Sequence, residues 1–276
     1  MIEFPEAQVL GRQLRENISR KEIKKVIVGH SPHKFAFFSE TENYPALLEG
    51  KKIKTAQASG SWVQIIVGED VSIFLSDGCR FLLHKPGGKI PEKHQLLLEF
   101  TDGYALTVSV QMYGMIFCQK NTDIDNKYFL VSREKPSPLS DEFHHRYWEK
   151  LLKESRQTLS AKAFLATEQR IPGLGNGVLQ DILYRAGVNP KTKIKSLSER
   201  DKENLFREIK ETLGEMTEQG GRDTEKDLFG KKGGYRTLLS KNTVGSSCSK
   251  CGKIIEKKSY MGGSIYFCPG CQPEKA

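Results

Sequence analysis

Apolar positions change their rhythm twice along this chain. In the first twenty residues Ala7, Leu10, Leu14 and Ile18 recur at helical spacing and predict a helix, with Pro5 tolerable in its first turn. From Ile23 to about Val131 the pattern becomes short runs such as KKVIVGH, WVQIIVG, VSIFLSD and YALTVSV, rich in β-branched and aromatic residues. Turn residues separate these runs every eight to twelve positions, which predicts an antiparallel sandwich or barrel. EKPSPLS at 134–140 reads as a linker. Helical periodicity then returns in FHHRYWEKLLKE, SAKAFLATEQ, GVLQDILYRAG and SERDKENLFREIKETLGEMTEQG, with Ser198 and Asp201 placed to cap the last of these.

Between two of the helical runs lies QRIPGLGNGVLQDILYRAGVNP, residues 169–190. Gly173, Gly175 and Gly177 crowd one turn around Asn176, and Val178, Ile182, Leu183 and Ala186 form the apolar face that follows. Such a turn feeds a helix N-terminus with few side chains in the way. That arrangement offers backbone N–H groups to an anion, a phosphate above all. The alternative is a helix–helix connection that needs only left-handed backbone.

Length allows one or two domains and an appendage: 276 residues, 31.2 kDa. No apolar run is long enough to span a bilayer, and MIEFPEAQ lacks the pattern of a secretory signal, so a soluble intracellular protein is expected. The formal charge of +9 is unevenly distributed. Nine Lys or Arg and only two acids lie from Leu228 onward, which points to a polyanionic partner, nucleic acid first.

The C-terminal region carries the most specific motif. Cys248 and Cys251 form one CxxC pair, and Cys268 and Cys271 form another sixteen residues later. Two such pairs let four thiolates converge tetrahedrally on one structural zinc, with no position left for catalysis. Tyr260, Gly262, Gly263 and Tyr266 suit a hairpin between the knuckles. Disulfides are the alternative that an intracellular compartment disfavours. Cys79 and Cys118 fall in expected strands and read as small buried hydrophobes.

An E-x-P-E opening, a β-sandwich, a GLGN turn between helices and a C-x2-C-x16-C-x2-CQ finger, in that order, resemble the formamidopyrimidine-DNA glycosylase / endonuclease VIII family. LGNGVLQDILYRAGVNP, Gly220–Gly221 and YFCPGCQ match closely. The resemblance implies an α+β multidomain fold: an N-terminal helix plus β-sandwich over 1–133, a linker at 134–140, a helix–two-turn–helix domain over 141–227 and a zinc finger within 228–276. It further implies a monomer acting on damaged or abasic duplex DNA. An N-terminal amine on Met1 or Ile2 would form a Schiff base, and Glu3 and Glu6 would serve as the acidic partners. Met1, Ile2, Glu3 and Glu6 are therefore the candidate catalytic residues. Both glutamates equally suit a helix N-terminus that favours acids.

Several positions depart from the family's pattern. Ile2 stands where proline is usual, and a bulky second residue resists removal of Met1. Ser61 and Gly263 align with a lysine and an arginine that grip phosphate, leaving Asn176 of the three. Asp77 replaces a gap-filling methionine. An Arg–Arg–Phe–Gly loop reads Gln111, Met112, Tyr113 and Gly114, of which Tyr113 keeps the ability to wedge into a base stack. The DNA-binding candidates are thus Gln111, Met112, Tyr113, Gly173, Gly175, Asn176 and Gly177. Two functions follow: a glycosylase and abasic-site lyase with a weakened site, or a catalytically degenerate protein that binds DNA or its lesions on the same scaffold.

Overall fold

In the computed structural model, which describes residues 1–275, the N-terminal helical pattern forms α1 (Phe4–Ile18). The strands β1 (Ile23–Val28) and β2 (Ala36–Phe38) follow, then a short helix α2 (Tyr44–Leu48). The strands β3 (Ile53–Ser59), β4 (Trp62–Val67), β5 (Val71–Leu75), β6 (Cys79–His84), β7 (Leu96–Phe100), β8 (Ala105–Val110) and β9 (Gly114–Lys120) complete the expected β region. They form two sheets, ordered β1-β7-β8-β6 and β2-β9-β5-β4-β3. All pairs are antiparallel except β2 with β9. Cys79 and Cys118 are buried strand residues, as expected.

Two differences from the sequence expectation stand out. The β region ends at Lys120, and residues up to Val131 enter α3 (Lys127–Glu134), started by the Asn126 side chain accepting from Phe129 N–H at 3.1 Å. Phe129 is the reason: its buried ring packs edge-on to Phe74 and Trp62, closing a small cluster on the outer face of the sheet. Likewise YPALL folds as α2, because buried Tyr44 sends its hydroxyl to the Ile116 carbonyl at 2.6 Å.

The helical half contains α4 (His145–Glu154), α5 (Ala161–Ala166), α6 (Val178–Ala186) and α7 (Glu199–Glu218). Ser198 caps α7 as the sequence predicts, its hydroxyl accepting from Asp201 N–H and the Asp201 carboxylate accepting in return from Ser198 N–H. At the C-terminal end, β10 (Glu256–Tyr260) and β11 (Gly263–Phe267) form the hairpin between the two cysteine pairs. This is the expected α+β arrangement: sandwich, helices, then a four-cysteine module. No helix among the described residues is long and apolar enough to cross a membrane.

Two cores meet at the start of the chain. Ile2 belongs to the sandwich core with Leu10 and Leu14, whereas Phe4 inserts among Trp148, Phe164 and Val178 of the helical core. Glu3, between them, is held at the joint by burial of its neighbours on both sides. Burying side chains of this size stabilises by roughly 1.5–3 kcal/mol each.

Candidate active site

The joint opens into a cavity of about 450 Å³ whose walls include Met1, Ile2, Glu3, Ser61, Asp77, Tyr113, Gly173, Gly175 and Asn176. Most of the residues singled out in the sequence thus converge on one space. Backbone bonds lock the N-terminal segment into its wall: Ile2 N–H donates to the Asp77 carbonyl at 2.9 Å and Phe4 N–H to the Gly173 carbonyl at 2.8 Å. Glu6 lies behind this wall, and Gln111 lines a separate small cleft with it. Met112 and Tyr113 project from the β8–β9 turn, 52% and 57% exposed, and Phe35 braces the Tyr113 ring at a centroid distance of 4.3 Å.

The glycine turn is filled differently from the sequence expectation. The N–H groups of Gly177 and Val178, at the start of α6, donate to the two carboxylate oxygens of Glu3, each at 2.7 Å. A side-chain carboxylate therefore occupies the anion position offered to phosphate. Gly175 is required by this docking, since a Cβ there would sit 2.5 Å from the Glu3 carboxyl carbon. Gly173 adopts φ +78° at a close approach to Gly60. Asn176 turns away from the helix start and donates to the Ser264 carbonyl of β11 at 3.0 Å, while its buried Oδ1 has no partner among the described residues. The turn is thereby tied to the four-cysteine module.

Arg222 was not legible in the sequence, yet it binds the site together. It is buried, and its Nε and Nη2 donate to both Glu6 oxygens at 2.9 and 2.7 Å. Its Nη1 lies 3.4 Å from Glu3, and Nη2 also reaches the Met1 carbonyl at 3.2 Å. Burial would raise the Glu6 pKa, but the charge and hydrogen bonds of Arg222 outweigh it and hold the carboxyl below the ordinary range. Burial dominates at Glu3, which stands above its ordinary value despite Arg222 and the two α6 donors. The Met1 amine turns toward Glu225, 2.7 Å away.

Lys162 is a second unforeseen group. It is buried without a carboxylate partner among the described residues, donating to the Tyr260 carbonyl at 2.6 Å. Its Nζ lies 3.3 Å from the point where a Cβ on Gly263 would stand. Burial lowers its pKa. Ser61 supplies no cation at the cavity wall, so Lys162 is the ammonium nearest to the Gly263 position.

Cys248, Cys251, Cys268 and Cys271 place their sulfurs within 4.8 Å of one another and can hold a metal ion. The separations of 3.7 Å for Cys248–Cys271 and 3.4 Å for Cys251–Cys268 fit the edges of a tetrahedron of thiolates. Tyr184 of α6 approaches Cys248 at 3.1 Å and joins the module to the helices.

Comparison with known proteins agrees with this fold. Residues 135–227 match the model of the formamidopyrimidine-DNA glycosylase H2TH domain. The chain is similar to the formamidopyrimidine-DNA glycosylase of Bacillus cereus, at 28% identity over 278 residues covering 99% of each chain. It is similar to that of Carboxydothermus hydrogenoformans at 29% identity, covering 99% of this chain and all of the relative. Its fold is that of the Lactococcus lactis Fpg solved with abasic-site DNA (TM-score 0.84, 23% identity) and of the Thermus thermophilus MutM (Fpg) protein (TM-score 0.83, 24% identity), over 99% of this chain and all of each of those.

Proposed function

We propose, from the premise that this chain belongs to the formamidopyrimidine-DNA glycosylase / endonuclease VIII family, that it is a base-excision-repair protein. It binds damaged or abasic duplex DNA and cuts the strand at abasic sites through an N-terminal amine. The observation that carries this reading is Glu3: a buried carboxylate, held by the N–H groups of Gly177 and Val178 and faced by Arg222, in the wall of a cavity beside the start of the chain. Burial that raises its pKa suits a group that must take and return protons near neutral pH.

The chemistry follows from what an abasic site offers. Its open form presents an aldehyde at C1′, to which an unprotonated amine adds; the carbinolamine then loses water to leave an iminium. Loss of a C2′ proton expels the 3′ phosphate and breaks the strand. Glu3 is placed to carry protons between amine, hydroxyl and water. Excision of an intact damaged base further requires the nucleotide to be everted into the cavity, with Tyr113 filling the space it leaves. Residues 1–133 carry the amine, Glu3 and this wedge; residues 141–227 supply the glycine turn and Arg222; the finger within 228–276 closes the nucleotide-facing edge through Ser264. Zinc is the metal that four thiolates fit best, and when bound it crosslinks the finger as a structural ion.

A second reading is a DNA- or lesion-binding protein without catalysis. The Met1–Glu225 ion pair favours it, because an ammonium held at 2.7 Å from a carboxylate is a poor nucleophile. Borohydride trapping on an abasic duplex decides between them. The lyase reading predicts a covalent adduct with the wild-type protein and none with Glu3→Gln. Tight binding with no adduct supports the second reading. Equal, weak affinity for abasic and undamaged duplexes sinks both.

A further inference from the structure

We infer that Arg222 is a positioning residue for the N-terminal reacting segment, and that Gly177 is glycine because it must admit the Arg222 guanidinium. This rests on the reading of Glu3 and the N-terminal segment as the reacting site. A Cβ built on Gly177 would lie 1.7 Å from Arg222 Nη1 and 3.0 Å from its Cζ, a collision with a planar group fixed at its other end. The backbone of Gly177 is ordinary right-handed helix, φ −79°, so conformational freedom does not explain a glycine there. Space does.

The guanidinium holds three points of the first six residues at once. Its fork engages Glu6, its third nitrogen faces Glu3, and Nη2 reaches the Met1 carbonyl. The Arg222 backbone N–H also donates to Glu6 at 3.1 Å. A planar five-donor group can satisfy these acceptors together; an ammonium on a flexible stem cannot. Removing the guanidinium would leave two buried carboxylates compensated by backbone N–H groups, those of Gly177 and Val178 at Glu3 and those of Glu3 and residue 222 at Glu6. One of them would then keep a proton.

The charged groups facing this centre come from every packed element. Glu3 and Glu6 lie on α1 and its cap, and Asp181 on α6 feels the Arg222 charge. Glu225 follows Arg222 in the chain, and Asp77 feels the charge of the N-terminal amine. Among the described residues, Arg222 is the cation that pairs with both Glu3 and Glu6.

The test compares wild-type protein with Arg222→Met, Arg222→Lys, Gly177→Ala and the double variant Gly177→Ala/Arg222→Met. Two readouts are taken: cleavage of an abasic duplex against pH, and carboxyl ¹³C titration of the glutamates in the free protein, assigned with Glu3→Gln and Glu6→Gln. With Arg222→Met, cleavage should slow by about 10–100-fold with KM little changed. One buried glutamate midpoint should rise by about one to three pH units. Arg222→Lys should restore the titration more fully than the rate, because it returns the charge without the fork. Gly177→Ala should resemble Arg222→Met in the wild-type background and add little to it in the double variant. Folded variants with wild-type titration and pH profile, or a Gly177→Ala effect equal in both backgrounds, would overturn the inference. Absence of cleavage by the wild-type protein counts against the lyase reading alone, and the titration and the coupling then decide the role of Arg222.

Discussion

The Lys162 ammonium stands 3.3 Å from the place a Cβ on Gly263 would occupy, and the Asn176 side-chain nitrogen stands 3.7 Å from the same place. A buried cation whose hydrogen bond goes to a carbonyl, with no carboxylate partner among the described residues, is costly unless an anion reaches it. The finger position that lacks an arginine is therefore backed by a lysine from the helical half.

Two substitutions measure what that lysine does for DNA binding. Lys162→Met should weaken binding to an abasic duplex and lower the slope of log affinity against log salt by about 0.9. Gly263→Arg should move both quantities the other way, since its Cβ would be tight only against Lys162 Nζ at 3.3 Å and in ordinary contact with the Asn176 side chain at 3.7 Å. Unchanged slopes in both would assign Lys162 to holding the finger in place and nothing more.

Asn176→Ala removes the side-chain bond to Ser264 across the joint between turn and finger. The global melting temperature should hardly change, because the helical core does not include Asn176. Affinity for abasic duplex should fall by about 1.5–3 kcal/mol if Asn176 also meets a phosphate, as a charge-assisted bond would require. Equal affinity in a folded variant would make the turn a connection only.

Acid should weaken the N-terminal joint through Glu6. Its folded pKa lies below the ordinary 4.5, so its contribution is fully present above that value and is lost as pH falls through the folded pKa. Glu3 works the other way, its raised pKa making the ionised form less favourable in the folded state. Glu6→Gln should cost about 3–5 kcal/mol at neutral pH, because it takes the bidentate carboxylate from a buried guanidinium and leaves Glu3 as its nearest remaining counter-charge. The variant should also lose part of the wild-type sensitivity below about pH 4.5. Denaturant melts at pH 7 and pH 4 report both.

Metal analysis should find about one zinc per chain, bound by the four cysteines. The apolar cluster under this module is small, formed by Tyr184, Leu239, Cys248, Ile255 and Cys268. Chelation should therefore unfold the finger while the sandwich stays cooperative. The finger's amide signals should collapse first in a titration monitored by NMR; simultaneous loss of the sandwich signals would show that the metal supports the whole chain.

The sequence alone determined the features that live within one element. Ala7, Leu10, Leu14 and Ile18 announce α1 by period, Ser198 and Asp201 announce the start of α7, and the two CxxC pairs announce a four-sulfur centre. Runs of β-branched residues announce the sandwich, though not its end, because Phe129 belongs to α3 for reasons of packing against Phe74. Tertiary structure alone decided who meets whom at the site. Arg222 reaches Glu6 across 216 positions and Lys162 reaches Tyr260 across 98, pairings that no local period encodes. The glycines were legible as a tight turn, but their purpose was not. Only the packed chain shows that Gly175 and Gly177 leave room for Glu3 and Arg222, since buried charges must find their partners wherever folding brings them.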